Sequence, residues 1–118
     1  MNFDISKADA HTTIKVNVEK LDSQFAPELK SHIIMANKSG ETNLIIDLAS
    51  TKYCDSSGLS ALLVANRLCR DGGGMLVVSS LQDPVMKLVT ISQLHNVLNI
   101  SPSIAEAEEL IAAGDTEE

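Results

Sequence analysis

At 118 residues and 44% apolar content, the chain is long enough for one domain with one hydrophobic core and no covalent staples. Nine basic against sixteen acidic residues give a net charge of -7, about -4 without the acids of the closing GDTEE, which disfavours nucleic acid and anionic membrane surfaces as partners. Aromatics at 3% offer no stacking platform for bases, and two cysteines without a CxxC spacing support neither a disulfide scaffold nor a zinc ribbon.

The opening FDISKADAHTTIKVNV predicts two strands joined at Ala8 to His11, with Ile14, Val16 and Val18 in alternation. DSQFAPELKSHIIMANKSG predicts a helix capped by Ser23, with Pro27 in its first turn and Gly40 at its end. Phe25, Leu29, Ile33 and Ala36 fall on one face of it. NLIIDLA lacks alternation and predicts a strand covered on both faces. GLSALLVANRLCRDGGG is the next helix, with Leu59, Leu62, Leu63 and Leu68 as its apolar side and Gly72 as its stop.

MLVVS predicts a second covered strand. Asp83-Pro84 opens a helix whose apolar set is Val85, Leu88, Val89 and Ile91. VLNI is a last short strand, and Ser101-Pro102 is the expected cap of SIAEAEELIAA, where Ile104, Ala107 and Ile111 share a face. The order ββαβαβαβα implies an α/β fold: a mixed sheet of about four to five strands with about four helices and a right-handed βαβ crossover from Leu44 to Ser79. Residues 1–113 are expected to form the domain, and 114–118 an acidic flexible tail.

The corner YCDSSGLS carries more polar residues than a turn requires. It joins the carboxyl end of a strand to the amino end of a helix, where ligand and partner sites collect in open α/β sheets. Asp55 or Ser56 can cap the helix. Free N–H groups and the helix dipole favour an anion beside them. Gly58 in the first turn costs about 1 kcal/mol relative to Ala, yet permits close approach of another backbone. A partner is the expected neighbour, so Gly58→Trp is expected to abolish binding without unfolding the domain.

DLASTKYCDSSGLSALLVANRLCRDGGGMLVVSS resembles the core of the STAS domain, the fold of anti-sigma-factor antagonists (anti-anti-sigma factors). In that family an apolar strand ends in Asp-Ser-Ser-Gly-Leu, followed by a Leu-rich helix, Gly-Gly and a strand. The resemblance spans about Ile14 to Ile111 and implies that Ser56 is the phosphorylated serine, with Ser57 its close competitor. Asp55, Ser56, Ser57 and Gly58 would form the partner-binding corner. The implied partners are an anti-sigma factor that is itself a GHKL-type serine kinase, bound by the unphosphorylated form to free a sigma factor, and a PP2C-type phosphatase. Two positions depart from the family pattern: Glu19 before Leu21-Asp22, and Gln93 in Ser92-Gln93-Leu94, both often Gly.

A stand-alone STAS accessory subunit of a lipid ABC transporter is the alternative reading. A serine hydrolase would need a histidine base and an orienting acid, and His11, His32 and His95 lie in no such context. Gly72 to Gly74 follow a helix and precede a strand, the reverse of a phosphate loop, and are expected to be a turn. Cys54 and Cys69 are expected as small buried hydrophobes, and Arg67 and Arg70 on a solvated face. No cofactor and no metal are expected. With no run near the roughly 18 apolar residues of a membrane span and no signal pattern in MNFDISKADA, the expected address is cytoplasmic.

Overall fold

The computed structural model describes residues 1–116. A hairpin of β1 (Phe3–Lys7) and β2 (Thr12–Val16) opens the chain, and α1 (Ala26–Lys38) and β4 (Leu44–Asp47) follow a short β3 (Lys20–Leu21). Then come β5 (Tyr53–Cys54), α2 (Ser56–Asp71), β6 (Leu76–Ser79), α3 (Asp83–Ile91), β7 (Asn99–Ser101) and α4 (Ile104–Thr116), with a 3-10 turn at Leu94–Asn96. The main sheet runs β1-β2-β4-β6-β7. Only the β1–β2 pair is antiparallel; β2–β4, β4–β6 and β6–β7 are parallel. The mixed five-stranded sheet with four helices is as the sequence implies.

The central strands owe their unbroken apolar sequence to cover on both faces. Leu44, Ile46, Leu76 and Val78 pack into the large core with α1, α2 and α3, whereas Ile45 and Val77 meet Ala107 and Ile111 of α4. Leu29, Ile33 and Ala36 of α1 are buried, with Phe25 packed against them, as their spacing predicts.

Several local expectations are corrected. Ser23 does not cap α1; Phe25 holds the cap position without a side-chain bond, and the Asp22 carboxylate accepts from the Gln24 N–H instead. In α2 the buried stripe is Leu59, Ala61, Leu62, Ala65 and Cys69, while Leu63 is exposed. Ala61 and Ala65 are as fully buried as Leu62, and Leu68 is half-buried against the same core. Ile91 is 72% exposed because α3 ends at that residue and turns away from the core. Ser103, not Ser101, caps α4: its hydroxyl accepts from the Glu106 N–H at 3.2 Å. The Ser101 hydroxyl donates to the Ser103 carbonyl. Of the segment read as a tail, Gly114 to Thr116 continue α4, whose Gly114 lies against Met75; Glu117 and Glu118 are outside the described residues.

Gly72 ends α2 and Gly73 adopts φ 85°, so the glycine run is the expected turn. Gln93 also lies in the left-handed region, at φ 62°. For a residue with a Cβ that conformation costs roughly 1–2 kcal/mol. Glycine would relieve it but gain unfolded-state entropy of about 0.4–1 kcal/mol. Gln93→Gly is therefore expected to stabilise the domain by about 0.5–1 kcal/mol, read as a higher urea midpoint at unchanged slope.

Candidate functional site: the β5–α2 corner

The corner is built by a two-stranded parallel ladder, β3 with β5, that pairs Lys20 with Tyr53 and Leu21 with Cys54. The Glu19 carbonyl accepts from the N–H groups of both Lys52 and Tyr53, at 2.8 and 3.0 Å. Thr51, fully buried, donates its hydroxyl to the Val18 carbonyl at 2.9 Å. These bonds fasten the start of α2 to the chain leading into α1.

Asp55 is extended, at φ -110° and ψ -170°, and its Oδ1 accepts from the N–H groups of Ser57 (2.9 Å) and Gly58 (3.1 Å). It therefore satisfies two of the helix's free donors and places a carboxylate on the favourable end of the dipole. Ser56 is the first helical residue and not a cap. Its side chain is exposed and makes no hydrogen bond among the described residues. Ser57 is half-buried and contributes its backbone N–H.

Gly58 does not face outward. It is buried, and a Cβ there would collide with the Leu21 carbonyl oxygen and the Cys54 sulfur. The close approach that its sequence suggests is to β3 of the same chain. The expectation that Gly58→Trp leaves the domain folded is accordingly revised.

Two concavities flank Ser56. On the α1 side a hollow of about 370 Å³ is lined by Ser23, Lys30, Ser57 and Ser60. On the α3 side a groove of about 410 Å³ is lined by Tyr53, Leu59, Lys87, Leu88 and Ile91. Tyr53 and Ile91 are strongly exposed beside Ser56. Tyr53 and Lys30 have no signal in periodicity, that of Ile91 pointed to the core, and only the meeting of α1, β5 and α3 brings the three together. A wider hollow of about 600 Å³ lies further along α2, where Arg67 and Arg70 are solvent-exposed.

No histidine lines either concavity. His11 pairs with Glu108 at 3.3 Å, His32 lies 3.8 Å from Glu28, and His95 sits in the 3-10 turn. Ser56 thus has, among the described residues, no histidine base beside it of the kind a Ser-His-acid hydrolase uses. Among the described residues, no group of acidic, His and Cys side chains is placed to hold a metal, and no helix is long and apolar enough to cross a membrane.

Cys54, behind the corner, is buried, and burial followed by the charge of Asp55 pushes its thiol up to about 12. Burial raises Cys69 to about 11. Unfolded thiols ionise near 8.5, so above that pH the unfolded state loses protons that the folded state keeps. Stability is expected to be intact below about pH 8.5 and to fall progressively as pH rises towards about 12. Urea midpoints at pH 7.5 and 10 check the sign, and at pH 7.5 a thiol reagent should label either cysteine only on unfolding.

The STAS domain family model matches residues 2–107. The chain belongs to the STAS domain family. This STAS domain is 26% identical over 102 residues to the anti-sigma-B factor antagonist of Bacillus subtilis (strain 168), covering 86% of this chain and 93% of that protein. Its fold is similar to the crystal structure of an anti-sigma factor antagonist from Mycobacterium paratuberculosis, with TM-score 0.84 at 18% identity, covering 93% of this chain and 92% of the other. It is also similar to the Bacillus cell fate determinant SpoIIAA in its phosphorylated form, with TM-score 0.72 at 19% identity over 92% and 98% of the two chains.

The two departures from the family pattern now have separate physical accounts. Glu19 is not in the left-handed region and serves this STAS domain through its carbonyl, leaving its carboxylate to pair with Lys52 at 3.3 Å. Gln93 does occupy a conformation suited to Gly.

Proposed function

We propose that this STAS domain is an anti-sigma-factor antagonist, a binding module in a partner-switching system, and that phosphorylation of Ser56 is its switch. The observation that carries the reading is the exposed Ser56 side chain, without a hydrogen-bond partner among the described residues, at the first position of α2. Asp55 already caps the helix, so the Ser56 hydroxyl is not needed for local structure. Family membership and the anti-sigma-B factor antagonist among its relatives support the assignment.

The unmodified domain binds an anti-sigma factor serine kinase through Asp55, Ser56 and Ser57, and the sigma factor is freed. Gly58 contributes from beneath by letting β3 pack close. The kinase transfers the γ-phosphoryl group of Mg-ATP to the Ser56 oxygen: the new O–P bond forms as the β–γ bridge breaks, ADP leaves, and the hydroxyl proton passes to the kinase. A PP2C-type phosphatase hydrolyses the ester and restores the binding form. The work is done in the cytoplasm.

The test is affinity capture from native cytosol with Mg-ADP, followed by phosphosite mapping after Mg-ATP. A kinase-fold partner and phosphate on Ser56 are expected. Capture of a permease and its ATPase, with no phosphate on the corner, would replace this reading by that of a transporter subunit. The purified domain is also expected to hydrolyse neither activated esters nor nucleotides, since no histidine base with an orienting acid stands beside Ser56. Turnover abolished by Ser56→Ala would overturn the binding-module reading.

A further inference from the structure

We propose that Lys30 receives the phosphoryl group once Ser56 is phosphorylated, so that the modified side chain lies in the hollow between α1 and α2. The inference rests on the phosphorylation reading above and specifies where the new charge goes. Lys30 projects from the second turn of α1, is half-buried, and shares that hollow with Ser23, Ser56, Ser57 and Ser60. It has no ion pair or hydrogen bond among the described residues, although the chain holds sixteen acidic side chains against nine basic ones. Seven of the nine Lys and Arg side chains lack an ion pair among the described residues, but the other six are exposed. A half-buried cation without a counter-ion, in a hollow shared with an exposed hydroxyl, is placed for an anion that arrives later.

Ser56 has a second side, and its chemistry is different. Towards α3 it meets Asp55, Lys87, the hydroxyls of Tyr53 and Ser92, and the apolar Leu59, Leu88 and Ile91. Towards α1 it meets a lysine and three hydroxyls, and no carboxylate lines that hollow. A phosphoserine carries about -1.5 to -2 charges and three acceptor oxygens at pH 7. It gains charge-assisted hydrogen bonds on the α1 side, whereas on the α3 side the Asp55 carboxylate repels it and the donors of Tyr53, Lys87 and Ser92 stand among apolar side chains. Lys87 is the competing cation, on the exposed flank of the groove.

The experiment installs phosphoserine at position 56 during translation, so no kinase is involved, and follows the phosphate by ³¹P NMR titration. Lys30, Lys87 and Asp55 are the charged groups facing it. Lys30→Gln is expected to raise the second phosphate pKa by about 0.3–0.5 unit, as fits a part-exposed pair. Lys30→Arg should restore the parent value, and Lys87→Gln should move it less than Lys30→Gln does. Thermal melts confirm that each variant is folded. Identical titrations for the parent and Lys30→Gln, or a larger rise in Lys87→Gln, would overturn the proposal. Whether a kinase modifies Ser56 is read separately by phosphosite mapping; failure there would overturn the phosphorylation reading and would leave the titration unchanged.

Discussion

Phosphorylated Ser56 is expected to bind the partner about a hundredfold more weakly than the unmodified domain, with a melting temperature shifted by no more than a few degrees. The internal terms are small and opposed. The helix dipole favours the phosphate by about 0.3–1 kcal/mol and Lys30 by a part-exposed pair's fraction of a kcal/mol. The neighbouring Asp55, which already holds the N–H groups of Ser57 and Gly58, opposes it by a comparable, solvent-screened amount. Across an interface no such cancellation operates. Two charges facing one partner carboxylate about 6 Å away, at an effective dielectric of about 40, cost roughly 3 kcal/mol. That is about a hundredfold in affinity, before any steric clash with a surface shaped to meet a hydroxyl. Ser56→Ala is expected to bind constitutively, and Ser56→Asp, with one charge on a shorter side chain, to weaken binding only partly. Titration of the two forms against the purified partner, beside their thermal melts, checks both halves. Equal affinities would overturn the switch, and a large fall in melting temperature would mean that it acts by unfolding the corner.

Gly58→Ala is expected to destabilise the domain by about 2 kcal/mol and to weaken partner binding only through the loss of folded protein. Overpacking against well-fitted neighbours costs typically 1–3 kcal/mol. Here the neighbour is the Leu21 carbonyl oxygen, a backbone atom that also accepts the Asp55 N–H, and it has little freedom to withdraw. The upper end of that range applies, and the better helix propensity of Ala returns about 1 kcal/mol of it. Chemical denaturation gives the loss, and a binding titration at a temperature where the variant remains folded separates architecture from contact. Full stability with lost binding would restore an outward-facing role for Gly58. Gly58→Trp, with far more volume to place, should not fold.

Much of this was legible from the residues. Strand and helix periods, the Asp-Pro helix start and the unbroken apolar runs NLIIDLA and MLVVS were enough to predict the order of the main-sheet strands and the four helices, and the two-sided cover of the central strands, but not β3 or β5. The DSSG corner declared itself by composition, and the capping chemistry of Asp55 is local: the carboxylate meets N–H groups only two and three residues away. Such signals act within a single turn, so a sequence displays them directly. The same locality explains the errors. Ser23 and Ser101 both have the right chemistry for a cap, but the backbone path selected Phe25 and Ser103.

What only the tertiary structure decided is the surroundings of Ser56. A two-residue strand such as β3 or β5 has no period to detect, and each exists only because the other pairs with it. That ladder turns Gly58 inward against Leu21, a packing fixed by contact between distant parts of the chain. It also sets Lys30 of α1 on one side of Ser56 and Tyr53 and Ile91 on the other. Hydrophobic pattern told that Ile91 is apolar but not that α3 ends there with the side chain exposed. A residue's chemistry is written in the sequence. Its neighbours are chosen by the packing of whole elements, which depends on every interface in the fold at once.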